Sequence, residues 1–171
     1  TGLGMVFSGV VTQNPEKYAP LSEHFIQRKI RPLYIYHFLY GLKEAIKQKK
    51  CFDWNPVIEL CSESVDRKDA GNSSEPANDR EQNWHSVRKA IADLFGDALG
   101  NTQCEPPIEL REKVWSILSA LLTDDEPTPD DEERDGGGNL DPMSLSINTV
   151  RGEAMHAVIS YGLWVARKSK E

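Results

Sequence analysis

The chain has 171 residues, of which 39% are hydrophobic and 27% are charged, and these values are ordinary for one compact globular domain. No apolar run approaches the ~20 residues that a transmembrane helix needs. The net charge of −7 is uneven, because residues 16–50 hold eight Lys/Arg and three Asp/Glu while residues 51–171 carry −12. An overall balance this acidic argues against a dedicated nucleic-acid-binding domain.

Apolar residues at helical spacing predict helices in the first third of the chain. Residues 2–13 are largely apolar, and Pro15 follows an asparagine N-cap as a first-turn proline. Pro32 opens a longer helix, and Asp53 is placed to cap the helix after it. Because the chain begins at Thr1, inside an apolar helix, we expect it to be a fragment of a larger protein. The longer helix carries an apolar stripe formed by Ile35, Phe38, Leu39, Leu42 and Ile46.

Two polar stretches, residues 66–80 and 123–144, are predicted to be exposed loops between the later helices. Residues 83–99 and 106–122 each present one apolar face, and the second of these segments begins with prolines in the first-turn position. Residues 148–167 form the last predicted helix. No period-2 alternation or hairpin turn competes with these helices, so the sequence predicts an all-α fold.

The later segments show weak internal similarity. "LREKVWSILSALL" (110–122) and "VRGEAMHAVISYG" (150–162) align at a spacing of 40 residues, and "SVRKAIADLF" (86–95) is a looser copy. Residues 86–168 therefore resemble HEAT-like α-solenoid repeats, whose period is ~40–47 residues. The resemblance implies stacked antiparallel helix pairs, of HEAT or armadillo type, that hold partners or neighbouring domains. A plain helical bundle is the structural alternative. The aligned pairs are Leu110 with Val150, Arg111 with Arg151, Val114 with Ala154 and Leu118 with Val158.

The last helix is predicted to be a core element. A stripe at helical spacing runs along it from Ile147 to Val165, with Trp164 at the margin. Gly152 and Gly162 each cost up to ~1 kcal/mol relative to Ala in a helix, so we expect a close helix–helix approach there. The predicted core residues are Val150, Ala154, Val158 and Tyr161 on this helix, with Trp115 and Leu118 on the preceding one.

The three cysteines predict a reduced protein. Cys51, Cys61 and Cys104 make an odd count without a C-x-x-C pair. This pattern argues against a disulfide scaffold and against a zinc knuckle. It favours a reducing compartment, so we expect a cytoplasmic location.

One spacing raises the question of a metal. Glu153 and His156 form Glu-x-x-His, which places both side chains near one side of a helix and occurs in di-iron bundles. Such a site needs a second Glu-x-x-His and two further glutamates, and no second copy of the motif is present. We therefore predict no metal and no cofactor, and keep a small helical-bundle metal protein or enzyme that uses Glu153 and His156 as an alternative.

A basic cluster raises the question of nucleic acid. Basic side chains beside aromatic ones suit contact with a phosphate backbone and stacking on bases. Residues 28–50 are therefore kept as an alternative nucleic-acid-contacting module, and their basic residues are also candidates for binding a protein partner. The candidate residues are Arg28, Lys29, Arg31, Lys43, Lys47 and Lys50, with Tyr34, Tyr36 and Tyr40 nearby.

The leading hypothesis is a non-catalytic helical scaffold. We predict one all-α domain over residues 1–171 that binds a protein partner or other domains of a parent chain, and no membrane association. Helices 2–13 and 147–168 are both apolar at the two ends of the chain. If their outer faces are unshared, the segment is expected to form homo-oligomers.

Overall fold

The computed structural model describes residues 2–68, 83–125 and 149–170, and every regular element in these ranges is helical. The predicted all-α class is confirmed. Among the described helices none is long and apolar enough to cross a membrane. The predicted loops at 66–80 and 123–144 fall largely outside the described residues, as does Ile147. In chain order the elements are α1 (Gly2–Gln13), α2 (Pro15–Tyr18), a 3₁₀ turn (Ala19–Leu21), α3 (Ser22–Gln27), α4 (Pro32–Lys47), α5 (Trp54–Val65), α6 (Trp84–Gly100), a second 3₁₀ turn (Ile108–Leu110), α7 (Arg111–Leu122) and α8 (Val150–Lys168).

Side-chain caps define where three helices begin. Asp53, Asn83 and Thr149 each accept a hydrogen bond from a backbone N–H two or three residues further on, at 3.0, 3.0 and 3.1 Å. Each bond satisfies one of the N–H groups that a helix start leaves unpaired. The start expected at the prolines of residues 106–107 is wrong, because a 3₁₀ turn follows them and α7 begins at Arg111.

The helices alternate between two layers. α1, α4, α6 and α8 pack side by side in that order, whereas α3, α5 and α7 form the second layer. α6 is central, because it packs against α4 and α8 in its own layer and contacts α5 and α7 in the other. Within α6, Val87, Ile91, Leu94, Phe95 and Leu99 are all fully buried.

This layer order changes which of the aligned sequence segments occupy equivalent positions in the fold. α7 and α8, which align at a spacing of 40 residues, lie in different layers, so their aligned positions are not equivalent in the fold. α6 and α8 do share a layer, and each carries Val-Arg at its start. Val87 and Val150 in these two motifs are both fully buried. The looser copy at 86–95 is therefore the one that corresponds to α8 in position.

Helices α1 and α4 approach each other closely at two glycines. A Cβ added at Gly41 would lie 2.7 Å from the Ser8 carbonyl oxygen, and one at Gly4 would lie 2.3 Å from Nε2 of His37. Two helices can come this close only because glycine has no side chain. The close approach expected at Gly162 is wrong, since that residue is exposed and has nothing within 4 Å.

A disulfide overturns the prediction that all three cysteines are reduced. Cys51 and Cys104 are bonded, with their Cα atoms 4.9 Å apart, and join the start of α5 to the segment before α7. Spacing along the chain gave no sign of this pair, because 53 residues separate the two positions. Cys61 is the free cysteine, and burial raises the pKa of its thiol well above the usual range.

The predicted core residues are only partly in the core. Val150, Ala154 and Leu118 are fully buried, and Val158 and Tyr161 are half-buried against the core. The expectation for Trp115 is wrong, because its side chain is 42% exposed at the edge of a contact with Tyr161. Conversely Trp164, which was placed at the margin, is the largest fully buried side chain in the described ranges.

Candidate partner-binding surfaces

Helix α8 is apolar on both sides. Val150, Ala154, Ala157 and Trp164 face the core, and the opposite side of the helix is open to solvent. Three large apolar side chains at i, i+4 and i+8 are exposed over most of their area there: Met155 at 59%, Ile159 at 64% and Leu163 at 65%. Gly162 and Ala166 lie on the same side of the helix and are also exposed. We call these five residues the α8 outer face.

Helix α1 has the same character at the opposite edge of the first layer. Its buried side, which includes Gly4, Ser8 and Val11, packs against α4. Its other side carries large apolar side chains that are exposed over 38–69% of their area, with Gly9 among them. We call the exposed set the α1 outer face, and it consists of Leu3, Met5, Val6, Gly9 and Val10.

These two faces are unusual for a surface. A surface helix normally turns a polar face to water, and a helix that is apolar all round is normally buried. Contiguous exposed apolar side chains mark surfaces that bind something, whereas isolated ones need no explanation. The two outer faces are therefore the candidate binding surfaces of the described residues.

The basic residues predicted to bind a partner divide into two groups. Arg28, Lys29 and Arg31 lie on the exposed connection between α3 and α4, where Lys29 adopts a left-handed backbone with φ of 50°. The three lysines of the second group interact within the fold. Lys43 pairs with Asp93 at 2.5 Å, and Lys47 pairs with Glu44 at 3.0 Å and with Asp97 at 3.5 Å. Lys50 donates to Gln13 Oε1 at 2.9 Å.

The ion pairs of the second group connect neighbouring helices. Lys43 and Lys47 are one turn apart on α4, and their partners Asp93 and Asp97 are one turn apart on α6. The two pairs therefore form a ladder across the α4–α6 contact. Lys43 also lies 5.3 Å from the ring centre of Tyr40. These two lysines are therefore paired within the fold, whereas the connection at residues 28–31 presents three exposed basic side chains to solvent.

Glu153 and His156 are placed differently on α8. Glu153 is half-buried, and burial raises the pKa of its carboxyl group, with Asp93 of α6 adding to the effect. His156 is exposed. Within the described residues, no group of three or more His, Cys, Asp or Glu side chains is arranged to hold a metal ion. The structure thus gives the Glu-x-x-His spacing no further ligands in these ranges.

A cleft of about 460 Å³ lies between α1 and α4, with His37 among its lining residues. The His37 side chain is buried, and its Nε2 has no hydrogen-bond partner. Burial lowers the pKa of this imidazole, because a charged ring would lose its hydration. A neutral His37 packed on Gly4 therefore acts chiefly as a part of the α1–α4 contact.

Comparison of the chain with family models, with curated proteins and with solved structures gives no match. Sequence reasoning pointed to both end helices as apolar, but it could not tell which side of each helix lies in the core. From Ala154 to Ala166 the sequence contains no Asp, Glu, Lys or Arg, so the helix has no charged side to face the solvent. That absence is the sequence signal that could have indicated an exposed apolar face.

Proposed function

We propose that this chain is a non-catalytic helical scaffold that binds protein partners through the outer faces of its end helices. The observation that supports this most strongly is the α8 outer face. Met155, Ile159 and Leu163 remain about three-fifths exposed although they form one continuous apolar stripe. Complete burial of side chains of this size is worth roughly 1.5–3 kcal/mol each, and the exposed three-fifths of each would contribute about that share on contact with a partner helix.

The arrangement in layers supports a solenoid of HEAT-like type as the class of scaffold. In such repeats successive helices alternate between two layers, and each repeat contacts only its neighbours. End repeats that are meant to face water carry a polar outer side. Here both α1 and α8 have apolar outer sides, which is the pattern of internal repeats and supports the proposal that further helices cover them.

The other expectations have less support from the described residues. A nucleic-acid-contacting role would use lysines of α4, but Lys43 and Lys47 are engaged with Asp93 and Asp97. A metal or enzyme role would use Glu153 and His156, which differ in burial. The odd cysteine count no longer supports a cytoplasmic location, because Cys51 and Cys104 are bonded and disulfides persist mainly in oxidising compartments.

Site-specific photo-crosslinking in the source cells tests the proposal. A photo-reactive amino acid at position 159 is expected to form one dominant adduct with a defined protein segment, identified by mass spectrometry. The same amino acid at position 116, an exposed position on α7, is the matched control and should give no such adduct. Leu163→Glu in the position-159 protein should abolish the adduct. Equal, diffuse labelling from positions 159 and 116 would contradict the proposal.

A further inference from the structure

The Cys51–Cys104 disulfide has one exposed end and one buried end. Cys51 is exposed to solvent, whereas Cys104 is only 3% exposed. Thiol–disulfide exchange begins when a thiolate attacks one of the two sulfurs, so access decides which of them reacts. While the protein stays folded, a thiol from solution can therefore reach Cys51 and not Cys104. Exposed disulfides are also the ones that are labile or regulatory rather than purely structural.

A cleft of about 540 Å³ lies beside the exposed end of this bond. The junction between α1 and α2 forms one wall, and the connection from α4 to α5 forms the other. Cys51 is one of the lining residues, and Cys104 is not. The volume is within the ~300–1,000 Å³ that is typical of pockets for small molecules. A small thiol bound in this cleft would lie next to Cys51, whose sulfur can be attacked.

The cleft is positively charged. Its lining residues include three lysines, Lys17, Lys49 and Lys50, and one carboxylate, that of Glu16, so their net charge is +2. Lys50 Nζ donates to Gln13 Oε1 at 2.9 Å, and this neutral acceptor does not cancel the charge of the ammonium group. A concave surface of one charge sign raises the local concentration of oppositely charged solutes. The cleft should therefore favour thiols that carry a negative group.

The backbone at the end of α4 brings Lys49 and Lys50 to this cleft. The Lys49 N–H donates to the Ile46 carbonyl oxygen and the Lys50 N–H donates to the Ala45 carbonyl oxygen, both at 2.9 Å. Glycine is usual at the left-handed position of such a helix-ending turn, because a side chain makes that backbone less favourable. Lys49 occupies the position with φ of 61°. A role for its charge in the cleft accounts for a lysine at a place that favours glycine.

From these observations we infer that Cys51 is a site of reversible S-thiolation by small anionic thiols, with Cys104 as the resolving cysteine. The thiol RSH carries carboxylate or sulfonate groups on R, which the lysines of the cleft attract. The inference goes beyond the proposed function, and it does not depend on the α1 outer face or the α8 outer face.

The exchange is balanced without any other reagent. The thiolate RS⁻ attacks the Cys51 sulfur, and the bond to the Cys104 sulfur breaks. A mixed disulfide of Cys51 with SR forms, and Cys104 leaves as a thiolate that takes a proton from solvent. One disulfide replaces another, so no oxidant or reductant is consumed. In the return step Cys104 loses that proton, attacks the Cys51 sulfur and releases RS⁻.

A charge series of thiols tests the selectivity on the native, oxidised protein. The probes are 2-mercaptoethanesulfonate, 2-mercaptoethanol and cysteamine, which are similar in size and are anionic, neutral and cationic. Each is added at the same thiolate concentration, samples are quenched in acid, and mass spectrometry measures the loss of the intact disulfide. The ratio of the anionic to the cationic rate is compared with the same ratio in a variant with fewer lysines, so that intrinsic differences between the probes cancel.

Lys17→Gln combined with Lys49→Gly removes two of the three lysines and keeps the turn, because glycine suits the left-handed backbone at position 49. This variant should lower the anionic-to-cationic rate ratio by about 10-fold or more at low salt, and the difference should shrink as salt rises. Arg28→Gln combined with Lys29→Gly is the matched control. Both residues are exposed, Lys29 has φ of 50°, and neither lines the cleft. The control should keep the ratio of the unaltered protein, and the urea midpoints of all three proteins should agree closely.

Two cysteine variants test the assignment of roles. With the symmetric disulfide of 2-mercaptoethanesulfonate, Cys104→Ser should accumulate a stable adduct that peptide mapping places on Cys51. Cys51→Ser should show no adduct on Cys104 until the protein is unfolded in urea, because that position is buried. The hydrogen bond from Trp54 Nε1 to the Cys104 carbonyl oxygen involves no sulfur, so both variants should stay folded, and circular dichroism checks this.

Three outcomes would overturn the inference. They are an unchanged rate ratio in the lysine variant, an equal loss of the ratio in the matched control, and an adduct on Cys104 of the folded protein. If a cysteine variant does not fold, the lysine variants still decide, because they are measured on the oxidised native chain. The crosslinking at position 159 is independent of these results, so the proposed function stands or fails separately.

Discussion

Reduction of the Cys51–Cys104 disulfide is expected to lower the stability of the protein by about 4 kcal/mol. The bond closes a loop across a sequence separation of 53 residues, and the chain-entropy relation gives that value for such a loop in the unfolded state. A typical domain is stable by only about 5–15 kcal/mol, so the effect is large.

Local hydrogen bonds should hold the fold around these cysteines when the bond is broken. Trp54 Nε1 donates to the Cys104 carbonyl oxygen at 2.9 Å. Asn101 Oδ1 accepts from the backbone N–H groups of Gln103 and Cys104 at 2.9 and 3.1 Å. The reduced protein should therefore keep its native structure, and the loss should arise in the unfolded chain.

Urea unfolding followed by tryptophan fluorescence, with and without a reductant, measures the difference. The reduced protein should unfold at lower urea, and the double variant Cys51→Ser/Cys104→Ser should match it and be insensitive to reductant. Cys61 is a built-in check, since a buried thiol should resist alkylation until the protein unfolds. Coincident curves in both conditions, or an intact mass showing three free thiols in the native protein, would refute the reasoning.

Further predictions concern the packing of the layers. Asp124→Ala should lower the free energy of unfolding by about 3–5 kcal/mol, because it leaves buried Arg88 without the carboxylate that lies 2.5 Å away. Asp125→Ala removes an exposed ion pair and should unfold almost like the unaltered protein. Equal unfolding midpoints for the two variants would contradict this prediction. Because burial lowers the pKa of His37, the free energy of unfolding should be highest above about pH 6.5 and should fall at lower pH. His37→Phe should reduce this pH dependence, measured by urea unfolding. An unchanged pH dependence would argue against a buried neutral imidazole. Gly41→Ala should lower the free energy of unfolding by about 1–3 kcal/mol, because its Cβ would lie 2.7 Å from a carbonyl oxygen of α1. Gly96→Ala has open space around the new Cβ and should be neutral or stabilising in thermal unfolding. A Gly41→Ala protein more stable than the Gly96→Ala protein would refute the close contact.

Local sequence signals placed most of the helices, although α7 begins later than they predict. Apolar periodicity and first-turn prolines located α4, whose start at Pro32 matches the prediction, and Asp53 caps α5 as expected. These signals depend on neighbours a few residues away, which a single sequence contains. They succeed because a helix forms its hydrogen bonds within its own segment.

Contacts between distant residues could not be predicted in the same way. Cys51 and Cys104 meet only because α5 and the segment before α7 are adjacent in the second layer. The sequence predicts Trp115 in the core and Trp164 at its margin, but Trp115 is 42% exposed and Trp164 is fully buried. Which side of a helix is covered depends on the packing order of the layers, and no local pattern encodes that order.

The candidate binding surfaces show the same limit. The apolar character of residues 2–13 and 147–168 is evident from composition, and the sequence predicts self-association if their outer faces are unshared. A helix that is apolar on all sides does not reveal which stripe faces the core. Only the packing of α8 on α6 shows that Trp164 faces inward while Ile159 faces out.

Carbene footprinting of side chains would test the central claim most directly. In dilute purified protein, Met155, Ile159 and Leu163 should be labelled strongly, because they are exposed. In concentrated protein or cell extract the same residues should become protected, while exposed Trp115 should be labelled equally in every condition. Protection confined to the outer faces is the result that the account predicts. Unchanged labelling of the α8 outer face in all conditions, or protection that falls instead on the basic connection at residues 28–31, would contradict it.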